Sequence, residues 1–281
     1  QSDPEKQLSM SRATESGTSM ALISKTGAAL EALTLFGHPL IDQSAAYNPT
    51  DIFFGSLLAP WPNRLEGGSY QLAGRSYEAG SLDLDGNANH GLVYDRDFEL
   101  VRAGDAEVVL SYLFGKDPGY PFSVELEVRY ELLDDGMRVS ARAKNLGSEA
   151  APFAIGFHPY FLAHEPFELS GDFSEVIQTD AKMLPKTKSE VAGLSFSGGE
   201  LDSCYLGARE VRLKTESFEL VVELEKNLDH FMFYRPGSDK GTSMVAIEPM
   251  SSPANAFATE IDRHLIAPGE SREFSFLIRT S

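Results

Sequence analysis

Two ionisable side chains lie where the sequence otherwise predicts a buried core. His158 lies in the nearly apolar stretch AIGFHPYF (154–161), and Glu248 follows an apolar run in MVAIEPMSSPANAF (244–257). An imidazole takes up and releases a proton near neutral pH, and a carboxylate can act as the matching base. A buried histidine with a satisfied hydrogen bond and a paired structural acid are the alternative interpretations, because an unpaired buried charge is costly.

Four further polar residues lie in segments that break the alternation of apolar and polar residues. Pro60 and Pro62 precede the pair Asn63 and Arg64, and they would stiffen a wall from which both side chains present donors to a ligand. His90 and Asp202 each follow a run rich in turn residues, in DGNANHG and GGELDSC. A solvated arginine, an exposed loop histidine and a turn-forming aspartate are the structural alternatives.

The signatures of several common chemistries are missing from the sequence. It has no HExxH or Cys/His metal spacing, no glycine-rich phosphate loop before a helix, no GxSxG and no GxGxxG. With a single cysteine, Cys204, neither a cysteine metal cage nor an intramolecular disulfide can form. The remaining candidates predict acid–base chemistry on a polar substrate, without a cofactor.

The composition argues against some classes of partner. The 24 Lys and Arg residues face 42 Asp and Glu residues, and the formal net charge is −18. We therefore expect neither a nucleic acid nor an anionic membrane as partner, and a neutral ligand suits the chain better than a polyanion. No apolar run approaches the roughly 20 residues of a membrane helix, and we expect no signal peptide. The single cysteine suits a reducing compartment, so we predict a cytoplasmic protein. We expect it to be a monomer or a homodimer.

A period of two in the apolar residues predicts the elements that would position these side chains. Apolar and polar residues alternate over 122–131, Asp134–Gly136 supplies a turn, and the alternation resumes over 137–143. The pattern recurs along the chain, and no stretch of 12 or more residues keeps a helical period, so we expect an antiparallel β-sandwich with few short helices. Residues 1–18 are polar and aperiodic and are predicted to be a flexible lead-in. Residues 19–281 are predicted to form a single domain.

Four of these segments, in this order, resemble motifs of the aldose 1-epimerase family, whose members are also called galactose mutarotases. The segments are PWPNRLEGGSY, NHGLVYDRDFEL, GFHPYF and AIEPMSSPANAF. The resemblance extends from about residue 20 to residue 279. It implies a large antiparallel β-supersandwich and the interconversion of α and β anomers of a free sugar, without metal or nucleotide.

The resemblance implies acid–base roles for three residues. His158 matches the general acid that protonates the ring oxygen of the sugar. Glu248 matches the general base that takes the proton from the anomeric hydroxyl. His90 resembles a second active-site histidine, which hydrogen-bonds near the ring oxygen.

The remaining site residues match groups that hold the sugar. Asn63 and Arg64 match a sugar-contacting pair, and Asp202 resembles an aspartate that binds a ring hydroxyl. The arginine would also help to keep Glu248 ionised.

Two departures bear on the substrate. The stretch Asp95–Asp97 stands where many members of the family carry an aromatic-rich tail. A branch that acts on hexose 6-phosphates carries HTYF, whereas this chain has HPYF, which together with its acidity favours a neutral sugar of the galactose or glucose type. Arg96, Arg235 and Lys240 are candidates for a phosphate site, which would make the protein a hexose-6-phosphate mutarotase instead.

Two other functions fit a sandwich of this size. One is a non-catalytic carbohydrate-binding sensor on the same fold, although His158, His90 and Glu248 are all present. The other is a polysaccharide lyase or a glycoside hydrolase, for which Glu248 and Asp202 would supply the pair of carboxylates that hydrolysis generally requires.

Overall fold

The alternating segments form strands throughout the computed structural model, which describes residues 3–46, 51–237 and 243–280. The first nine strands are β1 (Gln7–Thr14), β2 (Gly17–Ser24), β3 (Leu30–Leu35), β4 (His38–Asp42), β5 (Leu57–Leu58), β6 (Arg64–Glu66), β7 (Ser69–Leu72), β8 (Arg75–Glu78) and β9 (Asn87–Asn89). The next nine are β10 (Glu99–Ala103), β11 (Glu107–Leu113), β12 (Val124–Leu132), β13 (Met137–Asn145), β14 (Ala151–Pro152), β15 (Gly156–Phe157), β16 (Tyr160–Leu162), β17 (Glu168–Gly171) and β18 (Glu175–Thr179). The last are β19 (Pro185–Glu190), β20 (Leu194–Phe196), β21 (Leu201–Leu206), β22 (Glu210–Lys214), β23 (Glu219–Lys226), β24 (His230–Arg235), β25 (Met244–Met250), β26 (Leu265–Ile266) and β27 (Ser271–Thr280).

Helical structure in the described ranges is limited to single turns. The α-helical turn α1 covers Ala256–Thr259, and 3₁₀ turns cover Pro4–Lys6, Gln43–Ala45 and Ile261–His264. No helix in the part of the chain described here is long and apolar enough to span a bilayer.

Two large sheets and one smaller sheet contain most of the strands. The nine-stranded sheet has the order β10-β11-β12-β13-β27-β23-β22-β17-β20. The eight-stranded sheet has the order β19-β18-β21-β24-β25-β15-β5, and β16 also pairs with β25. Strands β1 to β4 form a meander, while β6 with β9, β7 with β8 and β14 with β26 form two-stranded ribbons.

The predicted hairpin is present in the middle of the nine-stranded sheet. Strands β12 and β13 pair antiparallel over nine residues each, from Val124 opposite Asn145 to Leu132 opposite Met137. Side chains in both strands alternate strictly between buried and partly exposed. One face of the sheet is therefore turned to the core, as the period of two predicts.

The core lies where the two large sheets meet. The ring of Phe157 in β15 packs edge-on against Phe276 in β27 at 4.9 Å, and Phe153 lies 6.0 Å from Phe274 in β27. Most of the buried apolar side chains of both sheets form one continuous cluster, and a second, smaller cluster lies on the eight-stranded sheet. This arrangement confirms the predicted all-β supersandwich with few short helices.

Within the segment predicted to be a flexible lead-in, residues 7–14 form a paired strand. Strand β1 pairs with β2 over eight residues, from Gln7 opposite Ser24 to Thr14 opposite Gly17. Within β1 only Met10 is buried, so the segment shows no apolar period although its backbone is paired. Ladder hydrogen bonds join backbone groups, and they leave little trace in the side-chain sequence.

Strand β25 extends three residues beyond the apolar run from which it was predicted. It pairs with β24 through Met232 opposite Glu248, Phe231 opposite Pro249 and His230 opposite Met250. Glu248 therefore lies inside a fully buried strand and does not follow its end. The two short strands β15 and β16 both pair with β25, and the residues between them lie beside Glu248.

Candidate active site

Six side chains from distant parts of the chain line one cavity of about 190 Å³. They are the six residues that the sequence analysis predicted to be catalytic or sugar-binding: Asn63, Arg64, His90, His158, Asp202 and Glu248. Three of them lie on strands, β6, β21 and β25, and the other three lie directly beside β6, β9 and β15. The antiparallel pairing of β21, β24 and β25 and the ribbon of β6 with β9 bring these segments together.

His158 and Glu248 form a buried pair at the wall of this cavity. The Nε2 atom of His158 lies 3.4 Å from Oε1 of Glu248, and the two side chains are 5% and 2% exposed. The other polar atom of each group, Nδ1 of His158 and Oε2 of Glu248, makes no hydrogen bond to any described residue. His158 is therefore not the satisfied core histidine of the alternative interpretation, because half of its hydrogen-bonding capacity is unused.

Burial shifts both members of the pair towards their neutral forms. Desolvation lowers the pKa of His158 to about 3, against a smaller opposing effect of its own backbone. Desolvation and then the nearby Asp202 raise the pKa of Glu248 well above its usual range, while Arg64 lowers it. Arg64 therefore acts in the expected direction, but burial and Asp202 outweigh it in the free protein.

Asn63, Arg64 and His90 are joined in one hydrogen-bonded unit. The backbone N–H of Asn63 donates to Nδ1 of His90 at 3.2 Å, and the backbone N–H of His90 donates to the carbonyl of Asn63 at 2.9 Å. The side-chain oxygen of Asn63 accepts from the backbone N–H of Arg64 at 2.9 Å and from its Nη1 at 3.2 Å. The guanidinium is thus held by its neighbour, which fixes its direction.

The protonation state of His90 follows from these contacts. Desolvation lowers the pKa of His90 well below its usual value. The positive charges that His158 and Arg64 carry when protonated lower it further. A neutral imidazole has one N–H, and Nδ1 accepts from Asn63, so the hydrogen of His90 is on Nε2. His90 is therefore a fixed neutral donor.

The backbone around this unit is held in uncommon conformations. Asn63 and His90 both have left-handed φ angles, +58° and +63°, and Gly91 follows at +74°. A side chain at Gly91 would place its Cβ only 2.2 Å from the carbonyl oxygen of Ala59. The close approach of these two segments, next to His90, therefore requires a glycine.

Aromatic rings hold the two imidazoles in place. The ring of Tyr160 stacks on His158 with 5.0 Å between centroids, and its hydroxyl donates to the carbonyl of Ile52 at 3.2 Å. The ring of Phe53 lies edge-on to His90 at 4.5 Å and roughly parallel to His158 at 6.3 Å. These contacts restrict both rings and exclude water from one side of the pair.

Asp202 lies on the opposite wall, in β21 rather than in a turn. Its backbone partner across the sheet is Tyr234 in β24, which also lines the cavity. Burial raises the pKa of Asp202, and the positive charge of Arg64 opposes this shift. The cavity therefore has one carboxyl group on each of two strands that flank β24.

Seven lining residues were not predicted from the sequence: Asp51, Ile52, Phe53, Asn89, Tyr160, Met232 and Tyr234. Asn89 precedes His90 and Tyr160 follows His158 by two residues, so proximity to a candidate histidine was a usable signal. Phe53 and Tyr234 carry no such signal, because aromatic residues are equally typical of a strand that only fills a core.

Two of the three candidate phosphate-binding cations, Arg96 and Arg235, do not line this cavity. Arg96 is largely exposed and lies 3.5 Å from Asp95. Arg235 is buried, donates to Glu165 at 3.0 Å and to the carbonyl of Gly199 at 3.1 Å, and stacks on a phenylalanine ring. Lys240 lies outside the described residues. Within the described ranges, no three His, Cys, Asp or Glu side chains are grouped as metal ligands.

Comparisons with known proteins agree on one family. The family model for aldose 1-epimerase matches residues 11–279. The chain is 27% identical to the Escherichia coli K12 protein YihR, whose activity is uncharacterized, over 92% of this chain and 89% of that protein. The fold is shared with an E. coli K12 protein provisionally named an aldose 1-epimerase (TM-score 0.83, 19% identity, 98% of this chain and 99% of that one). It is also shared with a Caenorhabditis elegans GalM/aldose epimerase homologue (TM-score 0.80, 16% identity, 98% and 99%). Since the family model covers nearly the whole sequence, this chain belongs to the aldose 1-epimerase family.

Proposed function

We propose that the protein is an aldose 1-epimerase that interconverts the α and β anomers of a neutral free aldohexose. The observation that carries this proposal is the buried contact of 3.4 Å between His158 and Glu248 at the wall of a small polar cavity. A hemiacetal opens when its O1 proton leaves while its ring oxygen gains one. An acid and a base must therefore reach two oxygens on one carbon at the same time.

The proposed reaction moves one proton in and one proton out. Glu248, as carboxylate, takes the proton of O1 while the C1–O5 bond breaks and the C1=O1 double bond forms. The imidazolium of His158 gives its proton to O5, which leaves an open-chain aldehyde, a protonated Glu248 and a neutral His158. After rotation about C1–C2 the same steps run in reverse on the other aldehyde face.

The resting pair already holds the single proton that this cycle needs. Burial favours neutral His158 and protonated Glu248 in the free protein, which is the same proton inventory as imidazolium with carboxylate. Sugar hydroxyls that donate to Glu248, together with the positive charge of Arg64, would favour the carboxylate. The proton would then pass to His158 across the 3.4 Å gap. No proton exchange with solvent is required in each turnover.

The other four residues would orient the ring. The Nε2–H of His90 would donate near the ring oxygen, and its fixed tautomer suits that role. Arg64, held by Asn63, would donate to ring hydroxyls, and Asp202 would accept from one. His90, Arg64 and Asp202 lie on different strands or turns, so they can contact a sugar ring from several sides.

The charge of the cavity supports a neutral substrate. Among the described residues that line it, Arg64 is the one cation, and Asp51, Asp202 and Glu248 are carboxylic acids. A sugar phosphate would bring two further negative charges, and the described lining residues hold no second cation to pair with them. A sugar of the galactose or glucose type therefore suits this cavity better than its 6-phosphate.

Polarimetry on freshly dissolved sugar tests the proposal directly. We expect the protein to accelerate the rotation change of α-D-glucose or α-D-galactose in a weakly catalytic buffer, and to leave the decay of glucose 6-phosphate near the spontaneous rate. His158→Asn and Glu248→Gln should each lower the rate by roughly 10²- to 10⁴-fold. His38→Asn, at an exposed histidine in β4, is the matched control and should retain full activity.

The outcomes separate the competing functions. No acceleration with any free sugar, together with measurable sugar binding, would favour a carbohydrate-binding sensor. Acceleration with glucose 6-phosphate alone would favour the hexose-6-phosphate mutarotase. Shortening of a polysaccharide would favour a hydrolase or lyase.

A further inference from the structure

One buried polar atom in the cavity has no place in the reaction described above. Asn89 ends strand β9, directly before His90, and its backbone pairs with Arg64 across the ribbon of β6 and β9. Its side chain lines the cavity. The amide oxygen Oδ1 is buried and accepts no hydrogen bond from any residue in the described ranges.

The side-chain amides of the neighbouring asparagines, Asn87 and Asn63, do make hydrogen bonds. The amide of Asn87, two residues earlier in the same strand, donates to the carbonyl of Lys182 at 3.3 Å. The amide oxygen of Asn63 accepts two hydrogen bonds from Arg64. A buried carbonyl oxygen without a donor is uncommon in folded proteins, and its position in a cavity indicates that the donor belongs to a ligand.

The groups around Asn89 indicate which donor is missing. His90 beside it and Arg64 across the ribbon are both donors. Neither can therefore accept a hydrogen bond from a sugar hydroxyl. Asn89 supplies a neutral acceptor on that wall. We propose that Asn89 is a specificity-determining residue that accepts a hydrogen bond from one hydroxyl group of the sugar. This inference rests on the proposed function.

The proposal predicts a pattern across substrates rather than a general loss. A sugar that lacks the hydroxyl would leave the amide oxygen unpaired in the complex, and roughly a tenfold to hundredfold loss of kcat/KM follows for that sugar alone. Asn89→Leu removes the acceptor, so the parent sugar should lose a similar factor. The monodeoxy sugar that lacks the partner hydroxyl should lose nothing further.

The experiment compares the parent hexose with its 2-, 3-, 4- and 6-deoxy analogues in wild type and variants. The ratio of wild-type to variant kcat/KM is used for each sugar, since the intrinsic reactivity of each sugar cancels in that ratio. The expected result is a ratio near one for a single deoxy sugar and a ratio of roughly 10 to 100 for the others. Asn87→Ala, in the same strand but outside the cavity, should show equal ratios for all sugars.

A second variant guards against loss of folding. Asn89→Asp keeps an acceptor oxygen at the same position, so it should keep the wild-type preference among deoxy sugars even if its overall rate falls. Equal ratios for all sugars with Asn89→Leu would overturn the proposal and leave Asn89 with a structural role only. A ratio near one for every sugar would overturn it as well.

Calorimetric binding of the same sugars separates this inference from the proposed function. If the wild-type protein shows no turnover, the epimerase proposal fails. A single deoxy sugar whose affinity is unchanged by Asn89→Leu would then still support the role of Asn89. Affinities that fall equally for all sugars would overturn it.

Discussion

The burial of His158 predicts an unusual dependence of stability on pH. Its pKa is about 3 in the folded protein against 6.5 in the unfolded chain. Below pH 6.5 the imidazole binds a proton in the unfolded chain but stays neutral in the folded protein. The stability from this group is therefore present above pH 6.5 and is lost as the pH falls. Between pH 7 and pH 4.5 the loss is about 2.5 kcal/mol, and it approaches about 5 kcal/mol only well below pH 3, at 1.36 kcal/mol per unit.

The variant His158→Asn removes the titration of this imidazole and leaves all the carboxyl groups in place. We expect the free energy of unfolding, from urea titrations at pH 7 and pH 4.5, to fall by about 2.5 kcal/mol more in wild type than in His158→Asn. The difference between the two pH values matters, because any packing loss from the substitution is the same at both and cancels. His38→Asn, in which the histidine is exposed, should behave as wild type.

The result can refute the reasoning in a simple way. If wild type and His158→Asn lose the same stability between the two pH values, His158 takes up its proton in the folded protein as readily as in the unfolded chain. The buried neutral imidazole, and the single-proton pair built on it, would then be incorrect. A larger acid sensitivity in the variant would have the same meaning.

Three further predictions address the site. The pH profile of kcat/KM should have no inflection between pH 6 and 7, because burial holds the pKa of His158 at about 3. The rate should fall on the alkaline side, at a pH above the usual range of a carboxyl group, as Glu248 loses its proton. An inflection near pH 6.5 would contradict this. Gly91→Ala should lower the free energy of unfolding by about 2–4 kcal/mol, measured in urea, because its Cβ would lie 2.2 Å from the Ala59 carbonyl oxygen. Tyr160→Phe should cost about 1 kcal/mol of stability, because the hydrogen bond to Ile52 is lost. It should change kcat by less than tenfold, since the stacked ring remains. A full loss of activity would mean that the hydroxyl acts on the sugar.

Much of the fold follows from local sequence patterns. The alternation in β12 and β13 and the turn at Asp134–Gly136 predict the central hairpin, because a sheet with one buried face imposes a period of two. Strand β1 escaped the same reasoning. It buries only Met10 and is held by its backbone ladder to β2, so polar residues occupy positions that periodicity assigns to a lead-in.

The candidate site could be predicted as a set of residues but not as an arrangement. Each residue breaks the alternation of its segment, and the motif resemblance links the segments. Aromatic neighbours such as Phe53 and Tyr234 could not be found, because a ring that lines a cavity and a ring that fills a core have the same local sequence. Their position depends on which strands become neighbours, and β24 lies between β21 and β25 only in the folded sheet.

The sequence by itself determined the class of fold, the types of chemical group and the absence of motifs for other chemistries. Only the tertiary structure decided that His158 and Glu248 lie 3.4 Å apart, that both are desolvated, and that the amide oxygen of Asn89 is left without a donor in the described part of the chain. The physical reason is that desolvation and pairing depend on all the atoms around a group. Those atoms come from strands that are far apart in the sequence, and local patterns carry no information about them.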